Sequence, residues 1–223
     1  MPPRGTKHRI LNAAEALFAE RGFEATSLRA ITTSAEANLA AVNYHFGSKQ
    51  ELVKAVLERR VRPMNEERLR LLHACEAEAD GGKPTLESIL AAFLKPPFEM
   101  RHRQNGGGGV IVRLFGRTYT EPGDELWKLF VGQFREVLER FGSALSRALP
   151  ELPRRELFWR MHFMVATLIQ TLADMRRLEM ISGGECDPTD FDAAVERLVP
   201  FLAAGLRAPL PGGAISGKGT ELT

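Results

Sequence analysis

The stretch Ala37 to Lys49, Ala-Asn-Leu-Ala-Ala-Val-Asn-Tyr-His-Phe-Gly-Ser-Lys, constrains this chain more than any other part of it. Between the turn at Ala37 and Asn38 and the stop at Gly47 and Ser48 lies room for a helix of only about eight residues, Leu39 to Phe46, too short to persist alone in water. Its neighbours must hold it. Leu39, Val42 and Phe46 recur at the spacing of a buried helical stripe, which leaves Ala40, Ala41, Asn43, Tyr44 and His45 facing outward. Those outward types suit a nucleic acid: Asn can pair with adenine through two hydrogen bonds, Ala can touch a thymine methyl, and Tyr and His can hydrogen-bond phosphates. A helix of this length fits a major groove.

The flanks predict how it is held. Ser48 and Glu51 read as a capping box that opens the next helix, and Lys49 sits in its first turn, where the backbone N–H groups and the dipole already favour an anion. A cation is misplaced there unless a phosphate lies between. Upstream, Ile10, Leu11, Ala14, Leu17 and Phe18 form an apolar helical face that stops at Gly22, and Thr26 or Ser27 caps a short helix carrying Leu28 and Ile31. These three helices make a helix-turn-helix unit, with a fourth helix bearing Leu52, Val53, Val56 and Leu57 behind it. Tyr44 and His45 can alternatively pack between helices, Arg9 and Arg29 read as a solvated face, and capping and phosphate contact are compatible roles for Thr26.

Over residues 6 to 60, and above all in Asn43-Tyr44-His45-Phe46 followed by Ser48-Lys49, the chain resembles the TetR family of bacterial repressors. The resemblance implies an all-α fold, with an N-terminal three-helix helix-turn-helix DNA-binding domain over 1–47 and a larger C-terminal helical ligand-binding and dimerisation domain over 48–207, joined by the helix that starts at 48. It implies a double-stranded DNA operator as partner, with Thr26, His45 and Lys49 on phosphates and Ala40, Ala41 and Asn43 at base edges; Ser27 and Tyr44 join them as DNA-binding candidates. Many members carry two aromatics before the His, where this chain has Asn43 and Tyr44, so the operator sequence does not carry over.

Composition bounds the alternatives. Net charge is only +2, but residues 1 to 60 hold nine Lys or Arg against six Asp or Glu, a surplus of three that leaves the remainder at minus one. This weak asymmetry favours nucleic acid at the N-terminal end. No run reaches the ~18 apolar residues of a membrane span and the start lacks a signal-peptide core, so a cytoplasmic protein is expected. His8, His45, His73, His102 and His162 are scattered, without metalloprotease or nucleophile-elbow spacing, and Cys75 and Cys186 read as free thiols. No catalytic residue, metal site or cofactor is therefore expected. Four consecutive glycines, Gly106 to Gly109, lack the preceding strand and the following Gly-Lys-Ser/Thr of a phosphate-cradling loop.

Beyond Arg60 the pattern stays helical. Pro63 is expected to interrupt the fourth helix, a further stretch runs to Ala79, and Asp80-Gly81-Gly82-Lys83-Pro84 breaks it. A helix restarts over Thr85 to Phe93, Pro96-Pro97 kinks or ends it, Gln104 to Gly109 is a flexible joint, and Val110 to Tyr119 is helical up to Glu121-Pro122-Gly123. From Asp124 to Leu149 one stripe joins Trp127, Phe130, Phe134, Val137, Phe141 and Leu145. The helix over 155–180 is apolar nearly all round and pairs with that over 189–207; two such helices from each of two subunits predict a four-helix bundle and a homodimer. The Pro- and Gly-rich end over 208–223 reads as a disordered tail.

Two segments, Glu156 to Met164 and Val199 to Gly205, resemble the PsrA-type members of the family, whose signal is long-chain fatty acid. The supply of Phe and Met suits an adaptable apolar cavity. Its candidates are Arg113, Phe115, Tyr119, Trp127, Phe130, Phe134, Met161 and His162, of which Arg113 and His162 can meet a carboxylate; for each, core packing or an interface is the alternative. The expectation is a homodimeric repressor released by a small apolar effector, with an aromatic or antibiotic inducer as the alternative and an enzyme as the remote one.

Overall fold

Short side-chain caps set where the second, third and fourth helices begin. Helix α1, Thr6–Arg21, stops at Gly22, whose φ of 91° lies in the left-handed region that a side chain avoids. Helix α2, Leu28–Ser34, starts on Ser27, whose Oγ accepts from the Ala30 N–H at 3.2 Å, and α3, Leu39–Phe46, starts on Asn38, whose Oδ1 accepts from the Ala41 N–H at 2.8 Å. Ser48 opens α4, Lys49–Glu78, by accepting from the Glu51 N–H at 3.1 Å. Each cap satisfies a donor that the helix itself leaves unpaired. The remaining helices of the computed structural model, which describes residues 5–79, 81–103, 124–173 and 175–211, are α5 (Leu86–Arg103), α6 (Asp124–Gly132), α7 (Arg135–Ala148), α8 (Arg154–Ala173), α9 (Met175–Ile181) and α10 (Phe191–Arg207). The fold is all-α, with no strand among the described residues.

The chain divides into two compact units, one built from the residues up to Leu71 with Lys95–Arg140, the other from Leu72–Leu94 with the residues from Phe141 onward. In the first, Ile10, Ala14, Phe18, Ile31, Val42, Leu52, Val56 and Leu57 form a core under α1 to α4, and Phe130 of α6 enters the same cluster. In the second, Phe93 meets Phe141 edge to face at 5.2 Å, and Leu157, Met161, Met164 and Leu168 of α8 are buried, as are Val195, Leu198 and Leu202 of α10.

Several expected breaks are absent. Helix α4 runs through Pro63: the missing N–H and the ring clash cost about 3 kcal/mol, offset by burial of Val61, Met64 and Leu72 on either side and by the Asn65 amide, which donates to the Gln133 carbonyl at 2.7 Å. Likewise α5 carries Pro96 and Pro97 within it, both buried beside Phe93, Leu94 and Phe98. Conversely, the single stripe expected from 124 to 149 is two helices, because Gln133 and Phe134 donate three residues back, to Phe130 and Val131, in a tight turn after Gly132. The expected helix over 155–180 is helical on both sides of residue 174, which lies outside the described residues. The expected joint and helix between Gln104 and Gly123 lie outside the described residues.

The expected tail is anchored where it begins. The buried Arg160 guanidinium donates to the carbonyls of Leu206 at 2.8 Å, Ala208 at 2.7 Å and Pro209 at 3.2 Å, a cation on the carbonyl end of α10 where the helix dipole favours one. Residues 208 and 209 are therefore held, and everything past Pro211 lies outside the described residues.

Candidate nucleic-acid interface

Helix α3 is anchored from behind by Val42, which is fully buried, with Ala41 and Phe46 partly buried against the same core. That leaves Ala40, Asn43 and Tyr44 exposed, Tyr44 by 86%, so Tyr44 does not pack between helices. The His45 ring is half-buried and stands edge-on to Tyr44 at 5.0 Å and to Phe46 at 6.2 Å. Leu39, expected in the buried stripe, is 47% exposed: as the first residue of the helix it lies one turn before Val42, past the edge of the core. It adds an apolar side chain to the outward set beside Ala40.

The turn before α3 is strained and braced. Glu36 has φ 50°, a left-handed conformation unfavourable to any residue with a Cβ. Arg9, expected to be merely solvated, donates from Nε to the Ala35 carbonyl at 3.1 Å and from its terminal nitrogen to that of Glu36 at 3.3 Å. The α1 side chain thus fixes the angle at which α3 leaves the turn.

Of the residues expected on phosphates, Thr26 has a different position. It is fully buried, and its hydroxyl donates to the Gly22 carbonyl at 2.6 Å. A phosphodiester only accepts hydrogen bonds, and this hydroxyl has given its one proton to the chain. Thr26 therefore clamps the start of α2 to the end of α1. Its neighbour Ser27 is exposed and accepts from Ala30, which leaves the Ser27 proton available. The Lys49 ammonium donates to the Glu24 carbonyl at 3.2 Å and keeps further N–H groups beside the start of α4.

A buried charge cluster escaped the sequence reading. Glu15 is buried on the inner face of α1; its carboxylate takes the Arg60 Nε–H at 2.8 Å and a further hydrogen bond from Arg59. Arg59 also donates to Asn12 Oδ1 at 2.8 Å and to the Leu11 carbonyl at 3.2 Å. The signal was present: Leu11, Glu15 and Phe18 share one face, and a carboxylate in a buried phase demands a cation. Arg59-Arg60, on the next long helix, supplies two.

The expected ligand residues are described only in part. Arg113, Phe115 and Tyr119 lie outside the described residues. Phe130 is part of the helix-turn-helix core and Phe134 packs against it, while Trp127 is 41% exposed, its ring 5.9 Å from that of Phe130. Phe130 and Phe134 fasten α6 to the head. In the second unit Met161 is buried, and His162 is exposed between Trp159 and Phe163 at ring separations of 6.5 and 6.0 Å. Phe158, Trp159 and Phe163 of α8 and Phe201 of α10 all stand exposed, whereas Leu168 and Leu198 are buried within the subunit. Among the described residues no cluster of His, Cys, Asp or Glu is arranged to hold a metal, and no helix is long and apolar enough to cross a membrane.

Comparison with known proteins agrees with this geometry. Residues 10–56 match the family described as bacterial regulatory proteins, tetR family, and residues 91–205 match the tetracyclin repressor-like C-terminal domain. The HTH-type transcriptional repressor Rv3405c of Mycobacterium tuberculosis is 48% identical over 71 residues, 32% of this chain and 35% of that protein, and the regulator UidR of Escherichia coli is 40% identical over 52 residues, 23% of this chain and 26% of its own length. The matches thus span about a third or less of those relatives. Among solved structures, the fatty acid degradation regulator FadR from Bacillus halodurans aligns with a TM-score of 0.60 at 15% identity, over 94% of this chain and all of that one. A SmeT–triclosan complex aligns at 0.61 with 21% identity, over 98% of this chain and all of that one. With a helix-turn-helix match at its N-terminal end and a regulatory-domain match over more than half its length, the chain belongs to the tetR family of bacterial regulatory proteins.

Proposed function

We propose that this protein is a homodimeric, sequence-specific DNA-binding repressor that a small apolar ligand releases from its operator. The observation that carries the reading is the α3 surface: Asn43 and Tyr44 exposed on a short helix that Val42, the Asn38 cap and the Arg9 brace hold rigidly. In this reading Ala40 and Asn43 meet base edges, with Ala41 at their margin, while Ser27, Tyr44, His45 and Lys49 hold the backbone. Thr26 acts through its clamp and not by touching phosphate.

The dimer forms through the exposed faces of α8 and α10, where Phe158, Trp159, Phe163 and Phe201 otherwise leave large apolar side chains in water. Two copies place two reading helices on a palindromic operator about one duplex turn apart. The protein acts in the cytoplasm, where that DNA is.

For the effector, the PsrA-like segments and the Phe and Met supply favour a long-chain fatty acid or its acyl thioester. An aromatic or antibiotic inducer is the second reading, since proteins of this fold include both a fatty acid degradation regulator and a triclosan complex. The test is operator release, read by fluorescence anisotropy of a bound duplex, against carboxylates from hexanoate to octadecanoate, with Arg113→Ala and His162→Ala in parallel. Burial of each added CH₂ contributes up to roughly 0.8 kcal/mol, so potency should climb with chain length. Release that ignores chain length, or no release, removes the fatty acid and leaves the inducer to the aromatic class.

A further inference from the structure

Leu39 carries a large apolar side chain, half in water, at the start of the reading helix. Val42, next on the expected stripe, fills the core beneath α3 and is fully buried, so the helix is held without Leu39. Ala40 beside it is exposed, and Asn43, four residues on, shares its face and is exposed too. The turn that presents Leu39 is fixed: Glu36 keeps its left-handed φ of 50° under the two hydrogen bonds from Arg9. Such fixing matters for an apolar contact, which has no hydrogen bond to draw it into register. What can face Leu39 in a major groove is narrow. Its side chain neither donates nor accepts, so a guanine carbonyl or an adenine or cytosine amino group pressed against it gives up water and gains no partner. The apolar group that base edges display in that groove is the thymine C5 methyl.

We propose that Leu39 is a specificity-determining residue that reads a thymine methyl in each half-site of the operator, an inference that rests on the DNA-binding reading above. Selection acts from both sides, because the methyl gains a dry contact and every polar base edge in its place loses a water. The position of the thymine follows from the helix. Leu39 and Asn43 stand about 6 Å apart along the axis of α3, against roughly 3.4 Å per base step of one strand. For a helix lying along the groove, the thymine therefore falls within about two base pairs of the pair that Asn43 reads.

Deoxyuridine in place of thymidine removes that methyl and leaves base pairing intact, so the first arm of the test alters only the DNA. In a duplex selected from a random library by the full chain, each thymine is replaced in turn and affinity is read by fluorescence anisotropy. At one thymine per half-site, near the position where Asn43→Ala loses its preference, removal of the methyl should weaken binding about fourfold, the worth of one buried CH₂-sized group. Leu39→Ala should no longer distinguish the thymine duplex from the deoxyuridine duplex. Leu39→Gln, of similar length but ending in an amide, should lose the preference for thymine at that position. Operator binding indifferent to every deoxyuridine would overturn the assignment and leave the repressor reading standing. So would a deoxyuridine penalty that persists undiminished in both Leu39 variants. Enrichment of no sequence from the library would overturn the repressor reading and this inference with it.

Discussion

Arg60 on α4 donates its Nε–H to Glu15 on α1 at 2.8 Å, and that carboxylate is almost wholly removed from solvent. The contact spans 45 residues of sequence and joins the first helix of the reading head to the helix that leaves it. Cutting it therefore strikes the head as a unit. Glu15→Ala strands two guanidiniums and should cost about 1–3 kcal/mol. This falls short of the 3–5 kcal/mol typical of a fully buried pair, because Arg59 and Arg60 keep part of their surface in water. A lower urea midpoint at unchanged slope is the expected outcome; an unchanged midpoint would show the cluster to be dispensable.

Three substitutions near α3 should separate into three behaviours. Asn43→Ala should lose about 1–3 kcal/mol on the preferred duplex and relax choice at one base pair, whereas Lys49→Ala should weaken all duplexes alike and flatten the salt dependence by about 0.9 in slope. Thr26→Val should leave that slope alone and cost about 1–3 kcal/mol of head stability, because the Gly22 carbonyl loses its donor. Salt titrations paired with melting curves read all three, and a reduced salt slope for Thr26→Val would restore it to the phosphates.

The dimer reading distinguishes exposed from buried positions on the same helices. Phe163→Arg or Phe201→Arg, on exposed faces, should yield folded monomers by sedimentation, with operator affinity lost. Leu168→Arg and Leu198→Arg, both buried inside the subunit, should instead unfold the second unit through an uncompensated charge. Intact dimers in both exposed variants would count against this interface.

Acid stability should respond to Glu87, which accepts from Arg207 at 3.0 Å and so ties α5 to α10. The hydrogen bond from Arg207 holds the Glu87 carboxyl below its ordinary range, so this carboxylate adds stability above its unfolded pKa, near 4.3. The contribution fades as pH falls through the lower folded value. The margin by which the parent outlasts Glu87→Gln in urea should thus be present at pH 7 and shrink below about pH 4. The pair is exposed, so the margin is small. A margin that is constant with pH would remove the linkage.

What could be read from sequence followed what local rules govern. Ser27, Asn38, Ser48, Gly22 and Gly47 each fix a helix end through their own backbone or cap, so the helix-turn-helix was legible residue by residue. Pro63, Pro96 and Pro97 misled because burial on both flanks outweighs one lost hydrogen bond, and such burial is set by distant residues. The same holds for Thr26, whose hydroxyl direction depends on the Gly22 carbonyl, and for Phe130, whose stripe fitted a ligand cavity as well as the head core it enters. Periodicity marks a face as covered without saying by what.

Selection of a random duplex library by the full-length protein tests the central claim most directly. The account predicts an enriched palindrome with half-sites about one helical turn apart, bound by two subunits, and a matching selection with Asn43→Ala in which one position of each half-site loses its preference. Enrichment of no sequence, or of the same motif with undiminished preference by Asn43→Ala, would contradict it.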